Sequence, residues 1–172
     1  ALAAAIKAEQ RATQNGEAQP PADDRPVPKT KVRAAVIRWL LTDRAALESV
    51  APEGVQIAGA HLPETLNLQE CALERPIPLS FCVLARGMVL LGATTRGINM
   101  HGTTVRPNHN GKAVVADGVV VKGDLFLRKG FRAEGEVRLL GATIEGDLEC
   151  TDGRFSNKNG NAISADGIVV HG

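Results

Sequence analysis

Apolar couplets that return at alternating intervals of five and six residues constrain the fold of this chain more than any other feature. From residue 55 onward, apolar or small residues come in pairs separated by one residue. The second members of the first pairs are Ile57, Leu62, Leu68, Leu73, Leu79, Leu84, Leu90, Thr95, Met100 and Val105. An α-helix returns its apolar face every 3.6 residues, and isolated hairpins need longer strands with turn dipeptides at nearly every corner. The pattern therefore predicts a mainly β solenoid of about five coils, in which four short extended segments make a coil of about 22 residues.

A second repeat has an offset of 49 residues. Residues 110–123 match residues 159–172 at nine of 14 positions, and the same offset maps 90–94 onto 139–143. Two coils of about 22 residues leave about five residues for an outward loop. Both copies contain such a loop, with the sequence Asn-x-Asn-Gly, at Asn108–Gly111 and at Asn157–Gly160.

The repeated Gly-Ala-x-[Leu/Ile]-x-Gly-x-Leu pattern resembles that of the bacterial pentapeptide-repeat-like β-solenoids. It is most similar to an uncharacterised group with Glu-Val-Arg-Leu-Leu-Gly-Ala-x-Ile-x-Gly-Asp-Leu-x-Cys segments, which here run from Glu136 to Cys150. The resemblance covers residues 55–172 and the segment 30–50. It implies a right-handed, four-sided parallel β-helix with small residues at one inward position and Leu or Phe at the other. It implies no established activity.

The N-terminal part divides into two regions. Residues 1–29 include four prolines among polar residues, a composition that predicts a leader and flexible linker. Residues 30–54 are predicted to form an α-helical cap, with Thr30 as the N-cap of a first helix over 31–41. The residues at helical spacing are Val32, Ala35, Val36, Trp39 and Leu40, with Ile37 and Leu41 widening the stripe.

The cap is expected to cover the first coil of the solenoid (residues 55–172), because the end of a solenoid exposes unpaired strand edges. Trp39 is well placed for this contact, and a second helix from Asp43 to Val50 is expected to follow. The alternative is a separately packed helical hairpin. At the other end, the first repeat copy continues beyond Gly123, the equivalent of Gly172. We therefore expect either a piece of a longer solenoid or a C-terminal edge that another chain covers.

Composition argues against several classes of protein. The net charge is +1, and residues 55–172 carry 12 basic and 12 acidic residues, so neither nucleic-acid binding nor acidic DNA mimicry is predicted. Aromatic residues make up 3% of the chain, with one Trp and no Tyr, which leaves few sugar-stacking side chains for a carbohydrate-active β-helix. No apolar run approaches the length that spans a bilayer, so no transmembrane segment is predicted.

The reactive side chains fit structural roles. The four histidines have no metal-ligand spacing, and neither a P-loop nor a dinucleotide-binding motif is present, so we predict no metal, no cofactor and no catalytic residues. Cys71, Cys82 and Cys150 are interpreted as buried, reduced thiols of a cytoplasmic protein. Asp117 and Asp166 recur with the repeat and are interpreted as turn-capping residues rather than catalytic acids.

The remaining candidate is a polar interaction ledge formed by the two loops. At an offset of two coils the loops should project from the same edge, about 10 Å apart. The ledge comprises Asn108, His109, Asn110, Asn157, Lys158 and Asn159. The alternative is two solvated turns with no partner.

The sequence thus predicts a non-catalytic scaffold or protein-interaction module. Its expected partner is a protein, or a second copy bound through the C-terminal solenoid edge. Two alternatives stay open: a carbohydrate-binding or carbohydrate-active β-helix, and a piece of a larger protein whose active domain lies elsewhere.

Overall fold

The predicted β-solenoid is confirmed by the computed structural model, which describes residues 28–48 and 56–172. Short parallel strands stack there into five coils, and two helices precede the first coil. We number the coils by residue range: coil 1, 56–76; coil 2, 77–97; coil 3, 98–123; coil 4, 124–146; coil 5, 147–172.

The elements have the following bounds. The helices are α1 (Ala34–Thr42) and α2 (Arg44–Glu48). The strands are β1 (Thr30–Lys31), β2 (Ile57–Ala58), β3 (Ala60–Leu62), β4 (Leu66–Asn67), β5 (Ile77–Ser80), β6 (Val83–Leu84), β7 (Met88–Val89), β8 (Thr94–Thr95), β9 (Ile98–Asn99), β10 (Thr104–Val105), β11 (Lys112–Val115), β12 (Val120–Val121), β13 (Leu125–Phe126), β14 (Arg132–Ala133), β15 (Glu136–Arg138), β16 (Thr143–Ile144), β17 (Leu148–Glu149), β18 (Arg154–Phe155), β19 (Ile163–Ser164) and β20 (Val169–Val170).

The strands form four parallel faces, each with one strand per coil. Face 1 has the order β1-β3-β6-β10-β14-β18 and face 2 the order β4-β7-β11-β15-β19. Face 3 has the order β8-β12-β16-β20, extended to coil 1 by a bridge at Ala72, and face 4 the order β2-β5-β9-β13-β17. Thr94, Val120 and Thr143 are successive partners on face 3. Two coils therefore separate Thr94 from Thr143 and account for the 49-residue repeat.

The couplet residues point inward and form the core. Leu90, Leu139 and Ile144 are all buried, as the couplet pattern predicts. Among the described residues of the core, Phe131 is the one aromatic side chain, and it stacks at a tilt on Phe155 of the next coil. A cavity of about 10 Å³ lies among apolar side chains of coils 2 to 4, too small and too apolar to hold ordered water.

Six glycines that lie at corners of the coils are of two kinds. Three of them have positive φ angles, namely Gly59, Gly92 and Gly141. The other three lie where a side chain would meet the neighbouring coil, namely Gly97, Gly123 and Gly146. The positive-φ corners also contain residues other than glycine, which the sequence does not reveal: Glu70, Phe81, Lys129 and Asp152.

The N-terminal cap differs from the prediction in two respects. Thr30 is not an N-cap, because Thr30 and Lys31 form β1 and pair with β3 of the first coil. The helix begins later, at Ala34, whose N–H donates to the Glu64 carboxylate at 2.9 Å. In this helix Ala34, Ile37 and Leu41 are buried and Trp39 is 52% exposed, so the predicted Trp39 contact is wrong.

Parts of the N-terminal predictions lie outside the described residues. These are the linker over residues 1–27 and the end of the second helix within residues 49–55.

The prediction of three buried thiols is wrong for one cysteine. Cys82 is buried, Cys71 is half-buried and Cys150 is exposed. Cys150 occupies an inward couplet position of coil 5, and none of the described residues stacks on the far side of that coil. Its exposure is therefore a consequence of its place in the last coil. No disulfide joins the three cysteines, all of which lie in the described part of the chain.

Candidate functional site

Both predicted loops lie at the corner between faces 1 and 2. The first connects β10 to β11 in coil 3, and the second connects β18 to β19 in coil 5. Because the strands of adjacent coils are about 4.8 Å apart, two loops separated by one intervening coil lie about 10 Å apart. The structure thus brings the six ledge residues to one corner of the solenoid.

Asn108 builds the first loop. Its Oδ1 accepts hydrogen bonds from the N–H groups of Asn110 at 2.9 Å and Lys112 at 3.1 Å. Its own N–H donates to the carbonyl oxygen of Lys112 at 2.8 Å, and Gly111 closes the turn with a φ of +75°. His109 and Asn110 remain exposed at the tip.

Asn157 has the same role in the second loop. Its Oδ1 accepts from the Asn159 N–H at 3.3 Å, and its Nδ2 donates to the Asn161 carbonyl at 2.9 Å. Lys158 and Asn159 are exposed at the tip. Of the six ledge residues, two therefore hold the loops in shape and four are presented to solvent.

Glycines in the adjacent coils make room for the first loop. A Cβ on Gly135 in coil 4 would lie 2.7 Å from the Gly111 oxygen and 2.8 Å from Cβ of Pro107. A Cβ on Gly87 in coil 2 would lie 2.9 Å from the Lys112 oxygen. The loop is therefore packed between two coils, which restricts its conformations. Sequence analysis missed both glycines, although each precedes a face 2 strand by one residue.

Glu136 of coil 4 connects the strands that follow the two loops. Its carboxylate forms an ion pair with Lys112 of coil 3 and accepts a hydrogen bond from the Ser164 hydroxyl of coil 5 at 2.6 Å. The hydrogen bond from Lys112, followed by that from Ser164, lowers the pKa of Glu136. The buried carboxylate thus stays charged and braces both loop bases.

Asp117 also bonds to the next coil rather than to its own turn. Its carboxylate accepts from Nε of Arg138 at 2.8 Å and from the N–H of Leu140 at 3.3 Å. These bonds support the interpretation of Asp117 as a turn-capping residue. The turn that it caps lies in coil 4 and not in its own coil 3. Asp166, its repeat equivalent in coil 5, is exposed.

A second polar cluster crosses coils 3 to 5 near face 4. Nε of Arg128 donates to Nε2 of His101 at 2.8 Å, and its guanidinium lies 4.0 Å from the ring centroid of Phe126. Arg128 also forms an ion pair with Glu149. Burial, and then the charge of Arg128, lowers the pKa of His101, which favours the neutral imidazole that accepts this bond. Sequence analysis missed the cluster, because only the register brings these residues together.

The described residues lack other features that would indicate chemistry. Within residues 28–48 and 56–172, no three His, Cys, Asp or Glu side chains lie close enough to hold a metal ion. In the same part of the chain, neither helix has the length and apolar character to cross a membrane. The geometry of the ledge suits hydrogen bonding to a partner surface.

Comparison of the chain with protein-family models, with curated proteins and with solved structures finds no match in any of the three. The resemblance to pentapeptide-repeat-like solenoids therefore stays a prediction. The fold itself is established by the parallel register of the four faces.

Proposed function

We propose that the protein is a non-catalytic β-solenoid scaffold that binds a partner protein through the ledge. One observation carries this proposal: two equivalent loops are held in shape by Asn108 and Asn157 and are braced from below by Glu136. Loops on a rigid scaffold are where binding residues concentrate, and a preformed loop loses little conformational entropy on binding. The proposed role of the solenoid is to fix the spacing of the tips.

The tips indicate the chemistry of the partner. His109, Asn110, Lys158 and Asn159 supply amide, imidazole and ammonium groups, which can donate and accept hydrogen bonds over a broad surface. The ledge therefore suits a polar protein surface with exposed carbonyl and carboxylate groups. The absence of disulfides among three described cysteines supports a reducing compartment, and we propose the cytoplasm.

The test replaces the exposed tips and keeps the loops. A variant with His109→Ser, Asn110→Ser, Lys158→Ser and Asn159→Ser retains Asn108 and Asn157, so the loop hydrogen bonds persist. The wild-type chain and the variant are used for affinity capture from the lysate of the source organism, and captured proteins are quantified by mass spectrometry. The captured amount of a protein that binds the ledge should be about tenfold or more lower with the tip variant than with the wild type, since several contacts are lost together.

The matched control changes exposed residues at the diagonally opposite corner, between faces 3 and 4, with Lys122→Ser and Glu145→Ser. This control should retain the partner at the wild-type level. Equal capture by the tip variant and the wild type would refute the ledge as the binding surface. Capture of a polysaccharide in place of a protein would favour the carbohydrate alternative.

A further inference from the structure

Both ledge tips end in the dipeptide Asn-Gly, which can undergo a covalent reaction of its own. Asn-Gly occurs at Asn15, Asn110 and Asn159, and the first of these lies outside the described residues. The backbone nitrogen of the residue after an asparagine can attack the side-chain carbonyl carbon of that asparagine. Glycine favours this attack, because it has no Cβ to hinder the approach and its backbone rotates most freely. The two tips are therefore candidate sites of modification.

The reaction needs only water as a co-reactant. At Asn159 the Gly160 nitrogen would form a bond to Cγ as it loses its proton, and the side-chain amide nitrogen would leave as ammonia. The product is a cyclic succinimide. Water then adds to either carbonyl carbon of the ring and breaks its bond to nitrogen, which yields aspartate or isoaspartate. A neutral amide is thus exchanged for a carboxylate, and nothing is oxidised or reduced.

Both described asparagines are accessible to water. Asn110 and Asn159 are exposed at the tips of their loops. Asn110 is exposed although coil 3 lies between coils 2 and 4, so a tip of this kind projects beyond the coils on either side. Exposure does not distinguish the two sites, and a difference between them has to come from the loops themselves.

The first loop restrains the attacking nitrogen. The Gly111 N–H donates to the carbonyl oxygen of Asn108 at 3.0 Å, which closes a β-turn over Asn108–Gly111. Oδ1 of Asn108 holds the same turn through the N–H groups of Asn110 and Lys112. Attack on Cγ of Asn110 requires the Gly111 nitrogen to give up its bond and the turn to change its dihedral angles. The turn therefore has to open before Asn110 can react.

The second loop lacks this restraint. Among the residues that the structure describes, none accepts a hydrogen bond from the Gly160 N–H. The bond from the Asn159 N–H to Oδ1 of Asn157 is 3.3 Å long, compared with 2.9 Å for the corresponding bond from Asn110. These bonds all lie within a single loop, so the difference does not depend on the coils above and below.

We propose that Asn159 is a site of spontaneous deamidation and that the closed turn of the first loop protects Asn110, its repeat equivalent. The reaction is independent of the proposed function, whereas its consequence for binding rests on that function. A carboxylate at position 159 places a negative charge beside Lys158 and removes an amide donor from the tip. Both changes weaken the attraction of the ledge for a surface with carbonyl and carboxylate groups. The ledge thus loses affinity as the protein ages.

The test follows both sites in one sample of the full chain. The folded chain is incubated at neutral pH, and tandem mass spectrometry of its peptides measures the converted fraction of each asparagine over time. A hydrogen bond of ordinary strength that has to open first slows a reaction about fivefold. We therefore expect Asn159 to convert about fivefold or more faster than Asn110. Isoaspartate among the products, separated by chromatography, identifies the succinimide route.

Two controls separate the effect of the loop from that of the dipeptide. In the urea-unfolded chain the turn is lost, so Asn110 and Asn159 should convert at similar rates. In the folded chain, Asn108→Ala removes the bonds to Oδ1 and should speed the conversion of Asn110 while leaving that of Asn159 unchanged. Equal rates in the folded wild type, faster conversion of Asn110, or a difference that persists in urea would overturn the proposal.

The consequence for binding is measured separately by affinity capture. Asn159→Asp reproduces the aspartate product and should capture less of a ledge-binding protein than the wild type, whereas the Lys122→Ser and Glu145→Ser control should not. Equal capture by Asn159→Asp and the wild type would overturn the consequence. The conversion rates require no partner, and the serine tip variant tests the ledge itself. Failure of this proposal and failure of the proposed function are therefore distinguishable.

Discussion

Replacing Gly141 and Gly146 by alanine should destabilise the solenoid for two different physical reasons. Both residues lie in coil 4, five positions apart. Gly141 has a φ of +60°, and a Cβ there would meet nothing within 4 Å. The cost of Gly141→Ala is therefore conformational, about 1–2 kcal/mol for an L-residue in the left-handed region.

Gly146 presents the opposite case. Its φ is not in the left-handed region, but a Cβ would lie 2.9 Å from the carbonyl carbon of Gly123 and 3.0 Å from its oxygen. Relief requires the two coils to separate, which weakens the bond from the Gly146 N–H to the Gly123 oxygen at 3.1 Å. Overpacking of about 1–3 kcal/mol and a weakened hydrogen bond of about 1 kcal/mol give about 3 kcal/mol for Gly146→Ala.

Asparagine separates the two mechanisms. Asn adopts the left-handed region more readily than Ala, so Gly141→Asn should cost less than Gly141→Ala. At Gly146 the larger side chain meets the same backbone, so Gly146→Asn should cost at least as much as Gly146→Ala. A chain of this size loses about 2–4 °C in Tm per kcal/mol. We thus expect losses of about 2–8 °C for Gly141→Ala and about 6–12 °C for Gly146→Ala.

Thermal unfolding followed by circular dichroism measures all four variants, with urea titration as a second readout. The reasoning is refuted if Asn and Ala rank in the same order at both positions, or if Gly141→Ala costs more than Gly146→Ala. Either result would mean that the two corners do not differ in backbone conformation as described.

Three further predictions concern the burial and electrostatics of single side chains. Ile144→Ala should lower the free energy of unfolding by about 2–5 kcal/mol and Val170→Ala by less than about 1 kcal/mol, because only the first substitution creates a buried cavity. Equal losses for the two variants in urea titration would contradict the inward stacking. Burial, and then the charge of Arg128, lowers the pKa of His101 from 6.5 in the folded state. Below that pH the unfolded chain binds more protons than the folded chain, so the free energy of unfolding should fall as the pH decreases. Tm measured from pH 7.5 to 5 should show this fall, and His101→Gln, which cannot titrate, should remove that component. Iodoacetamide should modify Cys150 in the folded protein and Cys82 only after unfolding, and peptide mass spectrometry can distinguish the two. Modification of Cys82 before unfolding would contradict its burial. Burial raises the pKa of the Cys150 thiol, so Cys150 should react more slowly than a free thiol.

The couplet spacing predicted the solenoid because inward residues obey a local rule. Each extended segment contributes its own inward side chains, so Leu90 and Ile144 can be recognised from residues within a few positions of them. The spacing also located the ledge, because the loops interrupt it. The helical cap was predicted less well: its apolar residues suit either face of α1, and only β1 fixes which face meets the solenoid.

The outward contacts could not be predicted, because they depend on the register between coils. Glu136 contacts Lys112 and Ser164, which lie 24 and 28 positions away in opposite directions. Both separations differ from the coil length of about 22 that the couplets indicate: a register shift in β11 between Lys112 and Val114 lies within the first, and the loop at Asn157–Gly160 lies within the second. The same holds for His101 and Arg128, 27 positions apart.

The loops also explain why the repeat unit is two coils rather than one. A loop at the corner between faces 1 and 2 occupies the space that side chains of the adjacent coils would need, and Gly87 and Gly135 supply that space around the first loop. The two described loops lie in coils 3 and 5, and coil 4 between them has Gly135 at the corner that packs against the first loop. The loops therefore recur at an interval of two coils, which sets the spacing of the ledge.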